Sequence, residues 1–133
     1  MSAAGSRQSI LGVDDDIDQL IVLQTHLDAV GYTFFGATSG EEALKLARKV
    51  APRLIILDVM MPGMDGYETC RRLRLDAAFA KVPILLLTAH HTQADVLKAK
   101  AVGANDFIVK PFDAGQLDAR LRHWLSHPVA GGK

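Results

Sequence analysis

The sequence predicts an α/β fold: one parallel five-stranded sheet with helices on both faces. Three observations predict it. Five short aliphatic runs alternate with five stretches of helical periodicity along the chain. The central runs are apolar at successive rather than alternate positions, as strands buried on both faces are. At 133 residues the chain is long enough for one sizeable core and reads as one domain.

The elements follow in order. "ILGV" (10–13) is a short buried strand. From Ile17 to Val30, Leu20, Leu23, Leu27 and Val30 recur at helical spacing, and Gly31 is a stop. "TFFGA" (33–37) is the second strand. Ser39 opens the second helix, with Glu42 three residues on in a capping-box pattern and Ala43, Ala47 and Val50 as its stripe. "LIIL" (54–57) is the third strand. Asp65 to about Asp76 is the third helix, with Tyr67, Cys70 and Leu73 inward. Pro83 precedes the fourth strand, "ILLLT". The fourth helix, about 92–102, is expected to turn Ala94, Leu97 and Ala101 inward and to stop at Gly103. "DFIV" (106–109) is the fifth strand, and Asp113 caps a last helix with Leu117, Leu121, Trp124 and Leu125 on one face.

A strand followed by a helix, five times over, builds a three-layer (βα)5 sandwich with right-handed crossovers. Pattern alone leaves the strand order open. The flavodoxin-like doubly wound order 2-1-3-4-5 is the common one for a sheet of this size. It sets the first and third strands side by side at the switch point, where ligands bind beyond the carboxyl ends.

Composition narrows the function classes. Acidic and basic residues balance at 15 each, so no global field draws nucleic acid or an anionic membrane. Arg71, Arg72 and Arg74 read as a solvated helix face. No apolar run reaches membrane-spanning length. A lone Cys70 forms no internal disulfide, which fits a reducing, cytoplasmic setting. "MSAAGSRQ" (1–8) has no apolar signal region. Residues 1–8 and 127–133 read as loose tails around one domain, 9–126.

The chemistry gathers at the carboxyl ends of the strands. Asp14, Asp15 and Asp16 follow the first strand and Asp58 ends the third. Thr88 ends the fourth and Lys110 follows the fifth. Singly, each has an ordinary explanation as a cap or a solvated side chain. Together they describe a site, because closely packed carboxylates repel and raise one another's pKa until a cation relieves them. An all-oxygen donor set suits Mg²⁺ better than zinc. Met60, Met61 and Met64 read either as a cover over the site or, more simply, as core filling. The neighbours His90 and His91 lack the spacing of a zinc site.

Five runs carry a resemblance: "VDDD" (13–16), "LDVMMPGMDG" (57–66), "LLTAH" (86–90), "KPF" (110–112), and "AVGANDFIVKPF" leading into the fifth strand. In this order and spacing the chain resembles the receiver domain of two-component response regulators over residues 9–126. The resemblance implies that Asp58 is the phosphoacceptor. It implies Mg²⁺, which Mn²⁺ could replace, held by Asp15, Asp58 and the Met60 backbone carbonyl, with Asp14 acting through a metal-bound water. Thr88 and Lys110 would hold the phosphoryl oxygens, helped by the backbone N–H groups of Val59, Met60 and Ala89. The donor would be a phosphohistidine on a sensor histidine kinase or histidine phosphotransfer protein. Such a domain is a signalling module rather than an enzyme, although it assists its own phosphotransfer and autodephosphorylation. The resemblance further implies a cis Lys110–Pro111 peptide and a switch made of Thr88 and Phe107. Phe107, which has no hydroxyl to hold it outward, is expected to be biased inward.

The output face would be the fourth helix, fifth strand and fifth helix, and the sequence does not say which partner it meets. In receivers of the winged-helix transcription-factor type this face forms a symmetric dimer. Asp106 and Arg120 match one of its ion pairs. Val96 and Gln116, and Asn105 and His127, depart from two others. One surface pair is worth about 0.2–1 kcal/mol, so the expectation is a monomer without phosphate and at most a weak dimer with it.

Rival readings lack support. A phosphatase of the haloacid dehalogenase type needs a second Asp two positions after the nucleophile, where Met60 stands. Neither a Walker A motif nor G-x-G-x-x-G is present. A receiver-like module that has lost phosphorylation would lack Asp58, Lys110 or the acidic pair, and this chain keeps them.

Overall fold

The computed structural model describes residues 7–90 and 92–126. Its elements are β1 (Ser9–Val13), α1 (Ile17–Ala29), β2 (Thr33–Ala37), α2 (Gly40–Val50), β3 (Leu54–Asp58), α3 (Gly66–Leu75), β4 (Ile84–Thr88), α4 (Gln93–Ala101), β5 (Asp106–Val109) and α5 (Ala114–Ser126). A short 3-10 turn, Ala77–Phe79, follows α3; the sequence reading did not anticipate it. The strands pair in parallel in the order β2-β1-β3-β4-β5.

Successive residues of a strand face opposite sides of the sheet, and the core divides accordingly. Ile55 and Leu57 of β3 face a cluster with Ala43 and Ala47 of α2, Cys70 and Leu73 of α3 and Ala99 of α4. Leu54 and Ile56 face a second cluster with Leu20, Leu23 and Leu27 of α1 and Leu117 and Leu121 of α5. Two helices therefore cover one face and three the other. Register sets the site: Val13 pairs with Leu57, so the next residues of the two strands, Asp14 and Asp58, emerge together.

Local signals behave differently from one another. Asp16 and Asp65 cap α1 and α3 by accepting from Asp18 N and Glu68 N. Asp113 and Gln116 cap α5 reciprocally. Ser39 accepts from Glu42 N as expected, but the Glu42 carboxylate turns to Thr38 N and Oγ1 instead of closing the box on Ser39. A complete capping box forms at Thr92 and Asp95.

Three expectations need correction. On α4, Leu97 is 60 % exposed and Ala94 and Ala101 also face outward, while Ala99 is buried with Val96 and Val102 partly covered. The helix presents two weak stripes, and packing against the sheet buries the other one. Val30 is an exposed C-cap rather than part of the α1 stripe. Arg7, expected in a loose end, donates to the carbonyls of Asp28, Gly31 and Tyr32 at the α1 terminus. There it satisfies orphan carbonyls and complements the helix dipole. The remaining tail residues, 1–6 and 127–133, and His91 lie outside the described residues. Among those described, no helix is long and apolar enough to cross a membrane.

Candidate functional site

The site begins with the strand ends. Asp14 and Asp58 are 3 % and 4 % exposed, while Asp15 beside them is open to solvent. One carboxylate oxygen from each of Asp14, Asp15 and Asp58 lies within 4.8 Å of the others. Asp16 stands apart as the α1 cap, and its N–H donates to Asp14 Oδ1 at 2.9 Å.

The loop after Asp58 is folded back by its own backbone. Val59 O accepts from both Met61 N and Gly66 N, and Gly63 takes φ +73°, a left-handed conformation that glycine adopts freely. Gly66 passes directly over the Asp58 carbonyl, where a side chain would collide with backbone. Met61 is buried, whereas Met60 is exposed and fills no core.

Lys110 closes the site from β5. Its N–H donates to Thr88 O at 2.8 Å and the following Lys110–Pro111 peptide is cis. Its ammonium donates to Asp58 Oδ1 at 2.7 Å and lies 3.9 Å from Asp14 Oδ2. Burial raises the pKa of Asp58 above the ordinary carboxylate value; the Lys110 hydrogen bond and charge pull it back, and Asp15 and Asp16 push it up. Asp14 is raised for the same first reason, with Asp58 and Asp15 adding to the shift and the Asp16 N–H and Lys110 opposing it. Two buried carboxylates thus share one cation, a deficit that a divalent ion fits. The donors are all hard oxygens, with neither His nor Cys in the cluster, which suits Mg²⁺ or Mn²⁺.

The phosphoryl-oxygen donors expected from the sequence are only partly available. Val59 N–H donates to Leu87 O at 2.9 Å, because the β3–β4 ladder runs one residue past Asp58. That group is committed to the sheet, and the expected role for it is withdrawn. The N–H groups of Met60 and Ala89 make no hydrogen bond among the described residues, and Ala89 lines the hollow that holds the acids. The Thr88 hydroxyl donates to His90 O at 2.9 Å and accepts from His90 N, so here it organises the β4–α4 loop.

Phe107 is half-buried against the α2–α4 side of the core. A narrow gap, too small to hold a water, separates it from Thr88 and is walled by Val59, Tyr67, Leu86, Asp95 and Ala99. Lys98 of α4 lies 4.7 Å over the Tyr67 ring and covers this region. Asp106 and Arg120, expected as an interface pair, close on each other within one chain at 2.8 Å. Trp124 Nε1 donates to the second Asp106 oxygen at 3.0 Å, a contact the sequence reading missed.

The reading also missed a groove of about 900 Å³ that opens beside the acids, walled by Val22 and Leu23 of α1 and by Phe112 and Leu117. His26 of α1 bonds Asp118 of α5 across it at 2.8 Å. A second apolar stripe on α1, with Ile17, Ile21 and Val22 all exposed, was the available sequence signal.

Known proteins share this fold. A family described as the response regulator receiver domain matches residues 10–122. The probable transcriptional regulator ycf27 of Porphyra purpurea is 43 % identical over 119 residues, which is 90 % of this chain and 48 % of that protein. The transcriptional regulatory protein AfsQ1 of Streptomyces coelicolor is 44 % identical over 114 residues, 86 % of this chain and 49 % of that protein. The chain therefore spans about half the length of the curated relatives it matches. Among solved structures, the chemotaxis protein CheY4 of Vibrio cholerae superposes with a TM-score of 0.85 at 35 % identity, covering 88 % of this chain and 98 % of that one. The receiver domain of the sensor histidine kinase PA1611 of Pseudomonas aeruginosa, described with magnesium coordinated in its active-site cleft, superposes at 0.84 with 30 % identity, covering 91 % and 99 %. A family match that runs through nearly the whole chain, together with relatives that share its sequence and its fold, shows that it belongs to the response regulator receiver domain family of two-component signalling.

Proposed function

We propose that Asp58 accepts a phosphoryl group from a phosphohistidine and that this modification controls a partner through the α4–β5–α5 face. The observation that carries the proposal is the 2.7 Å contact of Lys110 Nζ with a buried Asp58 carboxylate inside an acidic cluster.

Asp58 is held at a rigid strand end, with one oxygen engaged by Lys110 and the other left to attack. That oxygen forms the new bond to phosphorus as the bond from phosphorus to the donor imidazole breaks. The electron pair leaves with the imidazole nitrogen. Charge on the transferring oxygens is met by the Lys110 ammonium, the Met60 and Ala89 N–H groups and the Thr88 hydroxyl once it turns from His90. Asp15, Asp58 and the Met60 carbonyl would hold Mg²⁺, with Asp14 acting through a water. When bound, the ion cancels the repulsion between the carboxylate and the incoming dianion. Lys110 alone leaves that repulsion partly in place, which is why phosphorylation is expected to require the metal. Water later hydrolyses the acyl phosphate, so the mark is temporary.

The donor is a sensor histidine kinase or a histidine phosphotransfer protein. The relatives named as transcriptional regulators support a regulatory output, and the balanced charge argues against direct nucleic-acid contact by this domain. A cytoplasmic, signalling and non-enzymatic role fits the reduced cysteine and the chemistry. The test is incubation with acetyl phosphate and Mg²⁺ followed by phosphate-affinity electrophoresis. A shifted band is expected; one that survives Asp58→Asn or excess EDTA overturns the assignment.

A further inference from the structure

We infer that Gly40, the first residue of α2, is a positioning residue for the acceptor site: it leaves a seat for Met64, and Met64 in that seat fixes the loop that carries Met60. The inference rests on the reading of Asp58 as phosphoacceptor, with a metal held partly by the Met60 carbonyl.

Gly40 follows the Ser39 cap and is buried. A Cβ built on it would fall 2.8 Å from Met64 Sδ and 3.1 Å from Met64 Cγ, and closer still to the Thr69 hydroxyl. The volume that a side chain at position 40 would fill is therefore taken by Met64 of the loop and Thr69 of α3. Both α2 and α3 begin at the sheet edge from which Asp58 emerges, so the seat lies at the acceptor end of this helix pair.

One wall of the seat is fixed and its occupant is not. Thr69 is fully buried, and its hydroxyl donates to Asp65 O at 2.8 Å, a bond it would lose by stepping aside. Met64 is half-buried, and a thioether chain is flexible. A methyl group added at Gly40 therefore displaces Met64 rather than Thr69.

Met64 matters because the loop has few other ties. Val59 O accepts from Met61 N and Gly66 N at its base. Met61 is buried, Pro62 and Gly63 are exposed, and Gly63 at φ +73° turns the chain back so that Met64 meets α2. Met60 has an exposed side chain, and its N–H makes no hydrogen bond among the described residues. Its backbone is thus aimed by its neighbours, with Met61 in the core before the turn and Met64 against Gly40 after it.

The test measures Mg²⁺ binding by isothermal titration and labelling by acetyl phosphate in single and double variants. Gly40→Ala should weaken Mg²⁺ binding about tenfold and slow labelling about tenfold or more. In the metal-free ¹⁵N-labelled protein its amide shifts should extend across Met60 to Asp65. Met64→Ala, which empties the seat, should weaken Mg²⁺ binding about threefold. The double variant should stay near about threefold rather than reach the product of about thirtyfold, because the added methyl then has room. Leu121→Val, a core truncation on the other face of the sheet, should lower Tm and leave Mg²⁺ affinity unchanged. Parent-like Mg²⁺ affinity in Gly40→Ala, multiplied losses in the double variant, or an equal loss in Leu121→Val overturns the inference. Should Gly40→Ala not fold, Met64→Ala decides alone, and unchanged Mg²⁺ affinity there overturns it. A parent that takes no label at Asp58 strikes the acceptor reading itself; a labelled parent with an unaffected Gly40→Ala strikes only the seat.

Discussion

Lys110 Nζ lies 2.7 Å from Asp58 Oδ1, and at 3.9 Å it also reaches the field of Asp14. The ammonium therefore sits where a divalent cation would act, and it competes for the same carboxylate. Lys110→Met should bind Mg²⁺ about tenfold more tightly while accepting phosphate from acetyl phosphate far more slowly. Isothermal titration and labelling rates check the two halves separately. Unchanged Mg²⁺ affinity would mean that the lysine does not compete.

The buried acids should make the metal-free fold sensitive to pH. Asp14 and Asp58 have pKa values raised above their unfolded value of 3.8, chiefly by burial. A raised folded pKa stabilises below the unfolded value, and that contribution is lost as pH rises through the folded one. Asp95 and Glu68, lowered by Thr92 and by Arg71 and Arg72 respectively, act in the opposite sense but are partly exposed and screened by solvent. Asp14→Asn should therefore raise metal-free stability at neutral pH by about 1 kcal/mol, a few degrees in Tm. Mg²⁺ should stabilise the parent more than this variant. Thermal melts with and without metal decide it; a lower Tm for the metal-free variant contradicts the account.

Gly66 leaves no room for a methyl group over the Asp58 carbonyl. Gly66→Ala should cost about 1–3 kcal/mol through forced backbone movement and should slow phosphorylation by displacing the acceptor. Denaturant unfolding measures the first effect. A neutral substitution would show that the loop relaxes freely.

Phosphorylation should draw the Thr88 hydroxyl from His90 toward the phosphoryl group and let Phe107 settle further into the space that this movement opens beside the narrow gap between them. Because Phe107 is already half-buried, the ring should move little. Aromatic NMR with and without beryllofluoride should show a modest change at Phe107 that Thr88→Ala removes. A ring that is exposed in both states would break the coupling.

The α4–β5–α5 face should not hold a stable dimer. Both Asp106 oxygens are occupied within one chain, by Arg120 and Trp124, so a dimer must first give up those bonds. Light scattering of the unphosphorylated protein at micromolar concentration should give a monomer, and the phosphorylated form at most a weak dimer. A stable unphosphorylated dimer would show that the surface holds more than this pair.

The sequence by itself determined the elements and their chemical endpoints. Strand and helix periods are local, so "LIIL" ending in Asp58 and "FIV" ending in Lys110 could be placed at strand tips without coordinates. The parallel, doubly covered sheet followed from apolar runs that leave no polar face. The family pattern then supplied roles for the endpoints. Tertiary structure decided what depends on residues far apart in the chain. Leu97 was expected inward, but packing against the sheet buries Ala99 on the other side of α4 and leaves Leu97 in solvent. Val59 looked like a free donor until β4 took its N–H. Asp106 looked like an interface charge until Trp124, eighteen residues on, folded back to it, and no local rule joins His26 to Asp118. Periodicity reports which way a segment can face; only packing, by burying one face and satisfying each polar group with a distant partner, chooses among the ways that remain.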